Sequence, residues 1–387
     1  MTQYSMKYSY NDIMIKPAIL SEIKHRAECN PYYKDGKLPL FTAPMDSVVN
    51  VNNFDVFENN GINAILPRTV DLNTRIDYAC DGEWAAFSLQ EFEDEFTKGE
   101  IITADNIKAL IDMANGHVAK LYELVRKSKQ IYGNKIQVMV GNIANPETYR
   151  VCVESRVDFV RCSVGTGFCC ITASNTAIGY PIASLISEIA SIKDEYIDKG
   201  IDKDLLPKIV ADGGIRNYSD IIKAIALGAD YVMCGSIFSK MIESAAIKVM
   251  ERGGYKKVNL KFPKERYENL KCNNGYWSGD YTDEFVEYLK SKGRETKKES
   301  HEIGKLSAKI YGMASKAGQI AMNGKKTRTS EGIEKTLPVE YTMATWVENM
   351  TDYLRSAMSY TNSRTLDELK KVDVVLISKN TYESINK

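Results

Sequence analysis

The stretch SVGTGFCCITASNTAIGYP (163–181) follows a short apolar run, DFVRC, whose composition is typical of a strand. Gly165 and Gly167 permit a tight turn after that strand, where a larger side chain would clash. The adjacent thiols of Cys169 and Cys170 come next. A thiol on a glycine-rich turn after a strand is well placed to act as a nucleophile, although a free cysteine is often simply part of the core. The stretch alone leaves both interpretations open.

Short apolar segments recur along the chain at a spacing of roughly 20–50 residues, and helical patterns lie between most of them. The eight segments are Leu40–Met45, Asn63–Leu66, Trp84–Leu89, Ala109–Met113, Gln137–Val140, Asp158–Cys162, Lys208–Ala211 and Tyr231–Cys234. This alternation is typical of a parallel sheet with crossover helices. We therefore predict an α/β fold, a (β/α)8 TIM barrel formed by a single domain over residues 1–387. In that fold the chemistry lies on loops at the carboxyl ends of the strands.

Seven of the predicted strands end in glycine or polar residues, which favours a site at that face over an ordinary solvated rim. The ends are APMDS, LPRT, DMANGH, GN, the cysteine loop, ADGGI and CGS. Gly213, Gly214 and the Gly235–Ser236 pair come from the last two strands, which is where many barrels bind phosphate. Asp212 would accept hydrogen bonds from sugar hydroxyls beside it. On its own, the DGG turn favours a plain strand-to-helix connection over a binding site.

The composition excludes several classes of protein. The 51 basic and 51 acidic residues cancel, so no electrostatic case exists for a nucleic acid or an anionic membrane as the partner. No apolar run is long enough to span a bilayer, and the first residues lack the apolar core of a signal peptide. Eight cysteines without regular spacing suggest reduced thiols and a cytoplasmic location. No C-x-x-C pair exists and only three histidines are present, which argues against a zinc site.

Residues 251–305 interrupt the barrel pattern and are rich in Lys, Glu, Tyr and Asn. We predict an insertion after the eighth strand that forms a mobile lobe or flap over the barrel mouth. The alternative is a solvated decoration with no part in the chemistry.

The pattern G-x-G-x-x-C-x-T followed by G-Y-P resembles the catalytic loop of the IMP dehydrogenase and GMP reductase family. The resemblance implies that Cys170 is the nucleophile and that Thr172 helps to handle water or ammonia. It also implies that Gly165, Gly167 and Cys170 offer backbone carbonyls to a potassium ion. The similarity runs from Tyr10 to about Leu369, apart from residues 71–108 and 251–305.

The resemblance further implies a purine nucleoside monophosphate as substrate, a nicotinamide cofactor and a homotetramer. The substrate-binding residues that it implies are Met45, Asp212, Gly214, Gly235, Ser236, Met313, Ala314, Arg328, Ser330 and Gly332. The cofactor-binding residues that it implies are Arg68, Asp112, Asn115, Ser356 and Tyr360. No G-x-G-x-x-G motif follows a strand, so we expect the cofactor to lie across the barrel mouth and not on a Rossmann unit.

Three features place the chain nearer the reductases. Arg68 and Asp112 are too close in sequence for the regulatory CBS domain of most dehydrogenases. DMANGH resembles the reductase motif D-x-A-N-G-Y. Between Ser315 and Glu331 no Arg-Tyr pair is present to activate water, whereas Glu331 lies in a reductase-like TRTSEG motif. We therefore expect NADPH-dependent reductive deamination of GMP to IMP through a cysteine thioimidate. The alternative is an IMP dehydrogenase without the CBS domain, which converts IMP to XMP with NAD.

Several residues depart from the family pattern and indicate a divergent member whose purine substrate could differ. Arg161 is the dehydrogenase choice, Phe168 replaces a serine that normally touches phosphate, Ala173 replaces Arg or Gln, and Pro67 replaces His. A nucleotide-binding regulator on an inactive barrel is a further alternative. Such a protein would have no use for Cys170, Thr172 and Glu331 together.

Overall fold

The computed structural model describes residues 5–99, 103–252, 255–260, 267–273, 276–292, 300–324 and 329–385. Its first strand, β1 (Ile13–Ile15), lies outside an eight-stranded parallel sheet. The strands of that sheet are β2 (Leu40–Thr42), β3 (Ile65–Leu66), β4 (Trp84–Phe87), β5 (Ile107–Asp112), β6 (Ile136–Ile143), β7 (Phe159–Cys162), β8 (Lys208–Asp212) and β9 (Tyr231–Cys234). Seven of the predicted strands differ from these bounds by a few residues at one or both ends, and the eighth matches them.

The sheet closes on itself. Its strands follow the order β2-β9-β8-β7-β6-β5-β4-β3, and every pair in that order is parallel. Hydrogen bonds from Thr42 N to Asn63 O at 2.9 Å and from Asn63 N to Leu40 O at 3.1 Å join the segments of β2 and β3. The prediction of a (β/α)8 TIM barrel is confirmed.

Helices surround the barrel strands, and a further set follows them in the chain. They are α1 (Phe54–Glu58), α2 (Leu72–Cys80), α3 (Leu89–Glu93), α4 (Ala119–Tyr132), α5 (Thr148–Glu154), α6 (Thr172–Thr176), α7 (Ile182–Asp198), α8 (Tyr218–Ala226), α9 (Ser236–Ser239), α10 (Asp283–Ser291), α11 (Lys316–Asn323), α12 (Met343–Tyr360), α13 (Leu366–Leu369) and α14 (Lys379–Ile385). Helix α8 shows the local logic. The Asn217 side chain accepts a hydrogen bond from Asp220 N at 3.0 Å at its start, and the apolar face with Ile221 and Ile225 is buried. None of the described helices is both long and apolar enough to cross a membrane.

An antiparallel sheet, which we call the second sheet, is built from residues after the barrel. Its strands are β10 (Ile247–Arg252), β11 (Tyr255–Leu260), β12 (Tyr267–Asn273), β13 (Tyr276–Tyr281), β14 (Ser300–Tyr311) and β15 (Glu334–Pro338). The long strand β14 pairs with β10, β13 and β15. The segment 251–305 therefore contributes most of this sheet, and its predicted mobility stays a prediction. The last strand, β16 (Val374–Leu376), pairs with β1.

The two sheets have separate cores. Inside the barrel, the rings of Phe41, Trp84 and Phe159 pack edge to face at centroid distances of 5.1–5.9 Å. In the second sheet Trp277 is fully buried, and its indole N–H donates to Val339 O at 2.9 Å. Buried aromatic side chains therefore stabilise both the barrel core and the core of the second sheet. The aromatic layer fills the interior of the barrel, and a cavity opens at the carboxyl ends of the strands.

Candidate active site

A cavity of about 980 Å³ opens at the carboxyl ends of the barrel strands. Its walls come from the loops after six strands and from segments 312–314 and 329–332 beside the second sheet. The predicted site residues that line it are Met45, Arg68, Asp112, Gly165, Gly167, Cys170, Thr172, Asp212, Gly214, Gly235, Ser236, Met313, Ala314, Glu331 and Gly332. Most of the residues singled out from the sequence are thus brought to one place by the barrel topology.

The cysteine loop holds the thiol of Cys170 at the cavity wall. Gly165 has φ +79°, and a Cβ there would lie 2.4 Å from the Cβ of Ala173, so this position requires glycine. The amide of Cys170 donates to Gly167 O at 2.9 Å, which closes the turn. Cys170 is half-buried, whereas the Cys169 side chain packs into the second core and is only 5% exposed. Burial raises the pKa of the Cys169 thiol, which suits a structural role.

A chain of hydrogen bonds joins the thiol to a carboxylate. Cys170 Sγ donates to Thr172 Oγ1 at 3.3 Å, and Thr172 Oγ1 donates to Glu331 Oε2 at 2.8 Å. Thr172 is the first residue of α6, directly after the turn. A proton can therefore pass from the thiol through one hydroxyl to the carboxylate.

Glu331 reaches this position because its backbone is paired with the cysteine loop. Ile171 N donates to Glu331 O at 3.0 Å, and Ile333 N donates to Cys169 O at 2.9 Å. Gly332 sits within this pairing, where a Cβ would meet Ser315 N at 3.0 Å. The carboxylate is thus held by main-chain contacts between two regions that lie far apart in sequence.

A buried guanidinium connects two of the predicted binding carboxylates. Arg161 is 6% exposed; its Nη1 lies 2.6 Å from Asp112 Oδ1 and its Nη2 lies 2.8 Å from Asp212 Oδ2. Asn142 Nδ2 also donates to Asp212 at 2.7 Å. Burial alone would lower the pKa of Arg161, but the charges of Asp212 and Asp112 outweigh it and raise that pKa. Both carboxylates are therefore oriented by one cation.

The loops after β7, β8 and β9 form one wall of the cavity. Gly213 and Gly214 have φ values of +92° and +75°, and Gly214 N donates to Thr166 O at 3.1 Å. Gly235 and Ser236 line the same cavity at the start of α9. This is the arrangement in which barrels commonly bind phosphate.

The predicted cofactor residues fall into two groups. Arg68 and Asp112 line the cavity together; Arg68 Nη1 contacts Asp112 O at 3.5 Å, and its buried Nε has no hydrogen-bond partner in the part of the chain that the structure describes. A buried donor left without a partner fits a ligand that brings an acceptor, such as the amide or a hydroxyl of a nicotinamide nucleotide. Asn115 lies on the exposed loop after β5, where its side chain accepts from His117 N at 3.1 Å.

Ser356 and Tyr360 lie elsewhere, on α12, which packs against α8 outside the barrel. Ser356 Oγ accepts from Arg26 at 3.4 Å, and the Tyr360 side chain is 72% exposed. Neither residue lines the described cavity. Within one chain, the structure does not bring them to Arg68 and Asp112.

Of the remaining predictions, Ser330 lies beside the cavity, whereas Arg328 and the potassium ion are not placed by the structure. Ser330 Oγ donates to Gly332 O at 2.8 Å and supports the segment below the cavity without lining it. Arg328 lies outside the described residues. Potassium stays a prediction: Gly167 O already accepts from Cys170 N, but a carbonyl has a second lone pair. Among the described residues, no group of three His, Cys, Asp or Glu side chains could hold a metal.

The structure adds residues that the sequence did not assign to the site. Arg161 and Asn142 are the most important, since they hold Asp212. A charged residue inside the apolar run DFVRC, and an asparagine at the end of the preceding predicted strand, were the available signals. Their partners are 49 to 70 residues away in sequence, so no local pattern reveals the contact.

Comparisons with known proteins give the family of the chain. A family model described as IMP dehydrogenase / GMP reductase domain matches residues 84–261. A GMP reductase of Staphylococcus saprophyticus is 30% identical over 61% of this chain and 72% of that protein. A GMP reductase of Lactobacillus delbrueckii is 26% identical over 98% of this chain and 97% of that protein. An IMP dehydrogenase of Rhodopirellula baltica is 25% identical over 79% of this chain, but over only 48% of its own length. The chain belongs to the IMP dehydrogenase / GMP reductase family of oxidoreductases.

Proposed function

We propose that this chain is a GMP reductase, which converts GMP to IMP and ammonia with NADPH. The observation that carries the proposal is the hydrogen-bonded chain from Cys170 Sγ through Thr172 Oγ1 to Glu331 Oε2. A nucleophile, a relay and an acid in contact are the groups that an amine-displacing reaction at a purine carbon needs.

In the first step the Cys170 thiolate attacks C2 of the guanine ring and forms a carbon–sulfur bond. The thiol proton passes through Thr172 to Glu331, which returns it to the departing amino group. The carbon–nitrogen bond at C2 then breaks, ammonia leaves, and a thioimidate remains on Cys170. Oxidation states do not change in this step, and the thiol proton leaves with ammonia.

In the second step the thioimidate is reduced. When bound, the nicotinamide cofactor supplies a hydride to C2. The carbon–sulfur bond breaks with its electron pair on sulfur, which yields IMP and a thiolate that takes up a proton. Asp212, held by Arg161 and Asn142, would bind the ribose. Arg68 and Asp112 would hold the cofactor in the same cavity.

A second candidate is an IMP dehydrogenase, because Arg161 is the residue that the dehydrogenases carry at this place. That enzyme must hydrolyse the thioimidate and so needs a base directed at water. Between Ser315 and Glu331 the sequence KAGQIAMNGKKTRTS contains no Arg-Tyr pair for this role. We therefore favour the reductase.

The test is an absorbance assay at the nicotinamide band in both directions. We expect NADPH oxidation that depends on GMP, with stoichiometric ammonia and IMP. Steady release of XMP from IMP and NAD would instead identify a dehydrogenase. NADH in place of NADPH and size-exclusion chromatography test the cofactor choice and the expected homotetramer. Cys152, Cys162, Cys170 and Cys234 are reduced thiols in the structure, which suits the cytoplasmic location that we expect.

A further inference from the structure

A lysine on the second sheet lies against the wall of the cavity where phosphate is expected. Lys335 Nζ donates to Phe168 O at 2.9 Å and lies 3.8 Å from the centroid of the Phe168 ring. Phe168 itself lines the cavity. Lys335 is half-buried, and among the described residues no carboxylate lies within 4 Å of its Nζ. Its charge is thus held by a carbonyl and a ring face, and not by an anion.

The fold directs this side chain toward the cavity. Lys335 on β15 pairs directly with Ile310 on β14, so both side chains project from the same face of the second sheet. Ile310 lines the cavity. Strand β14 also packs against α9, whose first residue is Ser236. Lys335 itself does not line the cavity; its ammonium contacts the cavity wall from the side of the second sheet, through the carbonyl and the ring of Phe168.

The charge balance of the cavity shows what is missing there. The described carboxylates in its lining are Asp112, Asp212 and Glu331, and the described cations are Arg68 and Arg161. Arg161 is paired with two carboxylates, and Arg68 faces Asp112 on the β3 and β5 side. Arg161 is therefore already neutralised, and the contact with the Asp112 carbonyl holds Arg68 at the loop after β5. A phosphate monoester held by hydroxyl and amide groups alone would stay unneutralised in a partly buried site.

We propose that Lys335 is the cation that binds the phosphate of the nucleotide substrate. Its four-carbon stem lets Nζ move around the edge of the Phe168 ring without a change in the backbone. The phosphate replaces the Phe168 carbonyl as the partner of the ammonium, while the ring continues to cover the side-chain stem. The proposal rests on the proposed function only for the identity of the nucleotide.

The experiment measures equilibrium binding of GMP and of guanosine to the full chain without reduced cofactor. Lys335→Met should weaken GMP binding about 10- to 100-fold, the effect of losing one charge-assisted hydrogen bond, and should leave guanosine binding within about twofold. Lys335→Gln should behave like Lys335→Met, and Lys335→Arg should restore most of the affinity. Raising the salt concentration should weaken GMP binding to the wild type more than to Lys335→Met.

Lys309→Met is the matched control, because Lys309 is the neighbour of Ile310 on β14 and is exposed on the other face of the same sheet. It should change neither affinity. Unchanged GMP binding by both neutral variants, or an equal loss of guanosine binding, overturns the proposal. A change in the preference for NADPH over NADH in place of GMP affinity also overturns it, since the lysine would then serve the cofactor phosphate. If the wild type binds GMP but does not oxidise NADPH with it, the proposed reductase function is wrong. The binding measurements still test the proposal for Lys335 in that case.

Discussion

The barrel and the second sheet differ in what they bring to the same cavity. The barrel loops supply Cys170, which we propose as the nucleophile, the hydroxyl of Thr172 and the buried Arg161 cluster. The connection between β14 and β15 supplies Glu331, which completes the hydrogen-bonded chain. Neither region holds a complete set of groups for the proposed reaction. The proposed attacking thiol thus lies on a barrel loop, and the carboxylate proposed to carry the leaving proton lies beside the second sheet.

The largest effect is expected at the barrel nucleophile. Cys170→Ala should lower turnover of GMP by about 10⁴-fold or more, because no other group replaces the thiolate, while GMP still binds. Stopped assays for IMP and equilibrium binding of GMP measure the two quantities. Cys169→Ala is the control and should keep most of the activity, since its side chain faces the second core. If the two variants exchange their behaviour, the nucleophile is Cys169.

The next effect tests the contribution of the second sheet. Glu331→Gln should slow reduction of GMP by about 10²–10⁴-fold, the range for a missing general acid. Partial hydride exchange between IMP and labelled cofactor should survive, because that exchange bypasses loss of ammonia. Isotope exchange followed by mass spectrometry measures it. Equal loss of both reactions would show that Glu331 maintains the loop and does not act as the acid.

A smaller effect is expected at the barrel residue that we assign to the ribose. Asp212→Ala should weaken GMP binding by about 1.5–3 kcal/mol and slow the chemical step much less, since a charge-assisted hydrogen bond to a hydroxyl is lost. Single-turnover kinetics at saturating GMP measure the rate of the chemical step separately from the affinity for GMP. Asp212→Asn, which keeps an acceptor for Asn142, should fall between the wild type and Asp212→Ala. Unchanged affinity in Asp212→Ala would remove this residue from the site.

The smallest effect concerns the stability of the barrel wall, far from either half of the site. Glu91 accepts from buried Arg75 at 2.8 and 3.2 Å. Burial alone would raise the pKa of Glu91, but the hydrogen bonds from Arg75 and Ser88 lower it to about 2, from an ordinary value of 4.5. Because the folded pKa is depressed, this stabilisation is complete above pH 4.5 and is lost as the pH falls toward about 2.

Glu91→Gln should therefore lower the free energy of unfolding by about 1–2 kcal/mol at pH 7, after discounting for partial exposure, and by less at pH 3. Urea unfolding at the two pH values measures it. Glu123→Gln on α4 is the control, because its carboxylate is exposed and 3.9 Å from Lys120. If the loss in the free energy of unfolding does not depend on pH, the shape of the Glu91 side chain, and not its charge, explains the effect.

The sequence predicted the barrel far better than the second sheet, for a physical reason. Buried parallel strands such as Val138–Val140 read as short apolar runs that end in polar turns, so each can be found locally. The strands of the second sheet have one solvated face and contain many charged residues. Their register depends on pairings such as Tyr276 with Lys305, which no local pattern specifies.

The same distinction holds within the site. Asp212 was predictable because it follows a strand at the barrel mouth, whereas the choice of Cys170 over Cys169 and the roles of Thr172 and Glu331 rested on the resemblance to the family. The position of Arg161 between two carboxylates could not be predicted, because it depends on the closure of the barrel. Ser356 and Tyr360 were grouped with Asp112 by resemblance alone. The structure places them on α12, outside the cavity that Asp112 lines.

The single guanidinium shared by Asp112 and Asp212 makes the two sides of the cavity thermodynamically linked. A ligand that draws Asp212 away from Arg161 leaves the positive charge of the guanidinium to Asp112 alone. A ligand that draws Asp112 away leaves that charge to Asp212. Affinity at either side must then depend on occupancy of the other by the same factor in both directions. A molecule that competes for one carboxylate consequently acts at a distance on the other, with no movement of the barrel required.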